Sequence, residues 1–261
     1  MIKTRKAFVL FFIVVLLINI SVIAQTKKIC GKVYYTQVKN LTGTYSENYL
    51  LTFNNEQSFS EEINIKNSKS SQDKNYSGQD LTHNVIAGRN NLTSKFFFNT
   101  KANFYFRDNF FDQILVVKED QYNLKWNILQ EIKKIGGFSC QKATTKFRGR
   151  TYIAWFTSDI PVPFGPWKFK GLAGLILEVY DVDKVFHIVA NNVKIGEKID
   201  CTIAIDKNQL KSAMTIPVYL VKKEALINAE FVKMSSRMPK GFGTLKWDKN
   251  CDDCGGEIEK F

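Results

Sequence analysis

Histidine is nearly missing from this sequence: 261 residues hold only His83 and His187. With two histidines and no Gly-x-Ser-x-Gly elbow, a Ser/His hydrolase has almost no material to work with. A zinc site would have to draw on those two side chains and on five cysteines. No uninterrupted block of lysine and arginine occurs either, although Lys and Arg outnumber Asp and Glu by 37 to 25. The basic residues are spread along the whole chain, which describes a solvated surface better than a phosphate-tracking groove, so nucleic acid is not an expected partner. No internal repeat at a solenoid period is present, which excludes an array fold. Cys30 is not preceded by the small residues that mark a lipid-anchored cysteine.

What is present begins with a targeting segment. Lys3, Arg5 and Lys6 form a basic start, Ala7 to Ile18 is an unbroken apolar run, and Val22-Ile23-Ala24 precedes Gln25 as a cleavage site. Residues 1–24 therefore read as a secretory signal peptide, in preference to a retained membrane anchor. Cleavage removes three positive charges and no negative ones, taking the formal charge from +12 to +9. The mature chain is then expected to be secreted or periplasmic, able to associate with a membrane surface but not to span it. It is long enough for one sizeable core.

Twenty-one phenylalanines and ten tyrosines favour sheet over helix. Strand-like runs stand at 32–38, 48–53, 59–65, 95–98, 102–107 and 113–119, then at 126–135, 138–147, 151–158, 175–181 and 185–192. Gly136-Gly137, Arg148-Gly149-Arg150 and Asp181-Val182-Asp183-Lys184 are the expected turns. Residues 67–80, rich in serine, lysine and asparagine, read as a mobile loop. Thr215 as a cap, Pro217 in the first turn and apolar residues at helical spacing predict one helix over about 216–236. The tail 239–261 holds four glycines and two cysteines. The expected fold is mainly β: a meandering antiparallel sheet, curved or half-barrel-like, with one α-helix in the C-terminal half, over a single domain from residue 25 to 261.

The chemically suggestive residues fall into three groups. Trp155, Phe164, Trp167 and Phe169 flank the glycine-rich stretch Gly165-Pro166-Trp167-Lys168-Phe169-Lys170-Gly171-Leu172-Ala173-Gly174, beside Phe156. They read either as the lining of a hydrophobic site, with Arg150 (or Arg148) clamping an anionic group, or as ordinary core packing. As members of a turn, the two arginines are expected to face solvent. Glu178, Asp181 and Asp183 bring carboxylates to one strand end, most simply a solvated turn, and no calcium loop accompanies them. His187 on an apolar strand could meet Cys140, but a lone strand histidine is more often structural. Cys251-Asp252-Asp253-Cys254 is the sharpest local feature; a Cys251–Cys254 disulfide is preferred over metal binding or redox work, because the intervening aspartates disfavour a thiolate. Five cysteines leave at least one unpaired, and Cys140 reads as a partner of Cys30 or Cys201 or as a buried free thiol.

The segment 126–189 closely resembles the GLPGLI family of secreted Bacteroidetes proteins. The matching residues run from Trp126, Glu131, Lys133, Ile135, Gly136, Cys140, Lys142, Ala143, Phe147, Gly149, Arg150, Tyr152, Ala154 and Trp155 to Ile160, Pro161, Gly165, Pro166, Phe169, Gly171, Leu172 and Gly174-Leu175-Ile176-Leu177-Glu178. Ala173 stands where the motif carries proline, so one fixed φ is lost. The resemblance implies export and a mostly β fold; it implies no catalytic residue. The function expected is non-enzymatic: an exported binding or envelope-associated protein, without cofactor, that engages a hydrophobic or peptide-like ligand or a cell-envelope protein. The alternative is a thiol or metal protein built on Cys251 and Cys254.

Overall fold

The computed structural model describes residues 29–40, 43–63, 95–100, 103–110, 113–120 and 122–237. Residues 1–24, read above as a signal peptide, the serine-rich segment 67–80, His83 and the tail with Cys251 and Cys254 lie outside the described residues. Among the described residues twelve strands form one open sheet in the order β12-β6-β5-β4-β3-β2-β1-β11-β10-β9-β8-β7. They are β1 (Gly31–Asn40), β2 (Thr44–Phe53), β3 (Ser58–Ile63), β4 (Phe96–Asn99), β5 (Phe104–Phe110) and β6 (Gln113–Glu119), followed by β7 (Asn127–Ile135), β8 (Phe138–Phe147), β9 (Arg150–Thr157), β10 (Leu175–Asp181), β11 (Phe186–Ile195) and β12 (Met214–Thr215). Each strand pairs antiparallel with its neighbour except β12, which lies parallel to β6 over two residues. The curved, mainly β architecture read from the sequence is the one observed.

The period of two explains most strands. Along β1, Val33, Tyr35 and Gln37 are buried while their neighbours are half-buried, the alternation of a strand with one face on the core. β7 and β8 meet at Gly136 and Gly137, with φ of 56° and 88°, and β8 and β9 meet at Arg148 and Gly149, with φ of 47° and 77°. Two consecutive positive φ values make the tight turn whose twist matches the flanking strands. β7 is the outermost strand, and its register on β8 shifts between Ile128 and Ile132, an irregularity that breaks up an open edge.

A five-residue helix α1 (Lys207–Lys211) precedes the expected long helix, α2 (Ile216–Ser236). Thr215 takes the cap position of α2, yet its hydroxyl makes no cap hydrogen bond among the described residues; Pro217 in the first turn is the start signal that operates. α2 docks through Tyr219, whose ring meets Phe106 edge-on at 5.5 Å and whose hydroxyl donates to Asp108 Oδ2 at 2.7 Å. Tyr219 shares a small cluster with Phe104, Phe106, Leu115 and Val117 at this end of the sheet. The larger core is built from β1, β2, β8 to β11 and the connection between β9 and β10.

Cys30 and Cys201 form a disulfide that ties the residue before β1 to the segment after β11. Such a bond belongs to an oxidising, extracytoplasmic compartment. Among the described residues no helix is long and apolar enough to cross a membrane.

Candidate functional site

The glycine-rich connection 158–174 folds inward and fills the curve of the sheet. Its own backbone closes it: the Gly171 amide donates to the Pro163 carbonyl at 2.9 Å and the Phe169 amide to Pro166 at 3.1 Å. It is stitched to β10 by Leu175 to Ile160 at 2.9 Å and Ile176 to Phe164 at 3.0 Å. Side chains clamp it from outside, with Tyr122 and Trp126 donating to the Lys168 and Lys170 carbonyls at 2.5 and 2.8 Å. Gly174 is required by space, since a β-carbon there would stand 2.1 Å from the Thr157 carbonyl oxygen.

The expected ligand-lining aromatics are thereby turned into the interior. Phe164 and Phe169 are buried, with the Phe169 ring 4.7 Å from Tyr152 and 5.2 Å from Trp167. Trp167, half-buried and held at φ 52°, lies 4.9 Å from Phe186. Trp155 is buried under the Lys133 ammonium, 4.4 Å from its ring centroid. Apolar residues in a loop carry the same sequence signal whether they line a pocket or fill a core, and here they fill the core.

The two arginines differ from the solvent-facing expectation. Arg150 reaches Asp181 Oδ2 at 3.1 Å, and the fully buried Asp181 also accepts from the Phe186 amide at 2.7 Å. Arg148 reaches Glu119 Oε1 at 2.5 Å, because the tight β8–β9 turn carries it back over the end of β6. Glu119 also holds Lys168, whose ammonium is 3.0 Å from Oε2 and 4.2 Å from the Phe106 ring centroid while the residue is 1% exposed. Lys170 lies over Tyr122 at 4.6 Å, and burial pushes its pKa down against the pull of Glu119. The Asp181 carboxylate is thus a core group rather than part of a solvated turn, whereas Asp183 remains exposed.

On another part of the sheet Glu178 is held by two side chains at once. Its Oε1 is 3.0 Å from His187 Nε2, and Lys133 bonds the other oxygen. Burial opposes the Glu178 charge, but the hydrogen bonds from His187 and Lys133 outweigh it and leave the pKa below the usual carboxylate value. The Cys140–His187 pairing does not form. Cys140 is wholly buried, its thiol contacts the Phe138 carbonyl at 3.6 Å, and burial pushes its pKa up to about 11. A thiol so placed is structural, not nucleophilic. No three His, Cys, Asp or Glu side chains among the described residues could together hold a metal ion.

The open recess of interest lies elsewhere, where the β6–β7 connection passes the end of β8. A groove of about 470 Å³ is lined by Tyr122, Asn123, Leu124, Lys125, Lys146 and Phe147. Tyr122 stacks on Phe147 with centroids 5.1 Å apart, and Phe147 in turn meets Trp167 at 6.0 Å and Phe169 at 6.3 Å. The groove is therefore the outward edge of the buried aromatic stack. Thr145 Oγ1 donates to the Lys125 carbonyl at 2.9 Å, fixing the connection against the strand. Sequence reasoning passed over these residues. The available signal was Tyr122-x-Leu124-x-Trp126, an apolar alternation within an otherwise polar connection.

No curated protein matches the sequence. Structures of PNGF-II in the C2 and P21 space groups are similar at 16% identity, with TM-scores of 0.47 and 0.48, each covering 75% of this chain. The chain spans only 32% and 34% of those two PNGF-II chains, about a third of their length. The family model described as "N-glycanase peptide, N-terminal domain" matches residues 65–217, from before β4 into the first turn of α2. That match takes in more than half of the sequence, and the chain belongs to this N-glycanase N-terminal domain family.

Proposed function

We propose that this is an exported, non-enzymatic binding domain of the GLPGLI type, delivered by the signal peptide at residues 1–24. It engages an apolar or peptide-like ligand, free or presented by a cell-envelope protein, at the Tyr122–Phe147 groove. The observation that carries this reading is the groove itself: about 470 Å³, apolar at Tyr122, Leu124 and Phe147, and backed by a rigid aromatic stack. Recesses of this size with an apolar floor and a few polar groups are the usual form of small-ligand sites. The side chains singled out for chemistry support binding better than turnover, since Glu178, Asp181 and Cys140 are each satisfied or buried.

The test uses the neutral fluorescent dye N-phenyl-1-naphthylamine on the whole exported chain. Saturable binding to wild type is expected, reduced at least about ten-fold by Leu124→Asp, which places a charge on the apolar floor. The control Val221→Asp, on the exposed side of α2, is expected to leave binding unchanged. Equal binding by all three proteins, with melting temperatures preserved, would remove the site from the groove.

A second reading rests on the family match: an accessory domain that acts beside an N-glycan-directed enzyme. Its mark would be preferential binding to a glycoprotein over the same protein after removal of its N-glycans. No preference would end it.

A further inference from the structure

The rim of the groove carries charge of one sign. Lys125 and Lys146 are both exposed, and neither has an ion-pair partner among the described residues. Other cations of this half of the sheet pair with carboxylates: Lys168 and Arg148 with Glu119, Arg150 with Asp181, Lys142 with Glu131 and Lys133 with Glu178. The hydrogen bond from Thr145 to the Lys125 carbonyl holds the two lysine-bearing segments side by side. No carboxylate is among the described residues lining the recess. An apolar floor with two uncompensated ammonium groups at its edge is complementary to a molecule that is apolar along its body and negative at one end.

We infer that the groove takes a single-chain amphiphile with an anionic head group, the chain lying on Tyr122, Leu124 and Phe147 and the head between Lys125 and Lys146. This rests on the groove being the ligand site proposed above and adds the class of ligand. The volume suits one short chain, and the stacked Tyr122 and Phe147 rings give it a flat apolar bed. Because the lysines are solvated, the head group contributes selectivity more than bulk affinity, and that contribution is sensitive to salt.

The experiment is displacement of N-phenyl-1-naphthylamine by three ligands of equal chain length, each held below its micelle-forming concentration: laurate, dodecyl phosphate and dodecanol. At low salt, laurate or dodecyl phosphate is expected to displace the dye at about ten-fold lower concentration than dodecanol. The order of the two anions tells a carboxylate head from a phosphate one. The gap should narrow as salt is raised. Lys125→Gln combined with Lys146→Gln should close it while dye and dodecanol binding persist; both side chains are exposed, so folding is not at risk. Equal displacement by dodecanol and both anions, no displacement by any of them, or a gap that survives the double replacement would overturn the inference and leave the groove as a neutral apolar site. Failure of the dye itself to bind wild type would instead take away the groove reading, and this one with it.

Discussion

Glu119 is the residue on which the interior most depends for charge balance. It sits at the end of β6 and answers two cations, the buried Lys168 and the half-buried Arg148. Removing one partner of a buried pair leaves a charge that neither water nor protein compensates, which costs roughly 3–5 kcal/mol. Glu119→Gln is therefore expected to lower the unfolding free energy by about that amount in urea titration. The double variant Glu119→Gln/Lys168→Met should regain part of the loss, because the buried ammonium is removed together with the carboxylate charge it faces. Additive losses in the two single variants would mean that the pair is not coupled. This arrangement is not legible in Trp167-Lys168-Phe169-Lys170, whose alternation normally keeps lysines in water. Its stems run along aromatic faces instead, and the ammonium groups meet ring faces or a carboxylate.

At the scale of elements, the disulfide is the main constraint outside the sheet. Cys30 and Cys201 are 171 residues apart, so the bond restricts most of the unfolded chain. In the chain-entropy model a loop of that length corresponds to about 5 kcal/mol of stabilisation. Cys201→Ser is expected to shift the urea midpoint downward accordingly, and a reductant should reproduce the shift in wild type but not in the variant. Strands were the legible part of this molecule: β-branched and aromatic residues at a period of two placed β6, β8 and β10 to the residue and β9 within one, and Gly136-Gly137 and Gly149 marked two of the turns. The long helix was legible through Pro217 and the spacing after it. The direction of the 158–174 connection was not, because burial of its rings is decided by Tyr122, Trp126 and Tyr152, which come from other elements. The groove was hidden for a related reason: residues 122–125 and 146–147 are separate in sequence and are brought together by the Tyr122–Phe147 stack and the Thr145–Lys125 hydrogen bond. The two-residue parallel pairing of β12 with β6 left no pattern to read.

For the molecule as a whole, acid should weaken the fold earlier than base. Glu47 and Glu178 have pKa values below the ordinary carboxylate range: burial opposes their charge, but Lys39 and Lys95 around Glu47, and His187 and Lys133 around Glu178, outweigh it. A carboxyl group lowered in the folded state contributes stability that is complete above its unfolded pKa, about 4.3, and is lost as pH falls through the folded value. The melting temperature is expected to fall as pH drops below about 4, and Glu47→Gln should flatten that limb while lowering stability at neutral pH. An unchanged acid limb in Glu47→Gln would place the sensitivity elsewhere. The sheet order has a further consequence, for the timing of assembly. β1 pairs with β2 on one side and with β11 on the other. In a chain that emerges from its N-terminus, β1 to β6 can pair in order, each antiparallel to the one before, yet the second edge of β1 must wait for residues some 150 positions later. Until they arrive, the central seam of the finished sheet is an exposed strand edge, open to wrong partners. Cys30 waits beside it for Cys201, so the nascent molecule is most vulnerable to mispairing and aggregation at the place where the mature one is most thoroughly joined.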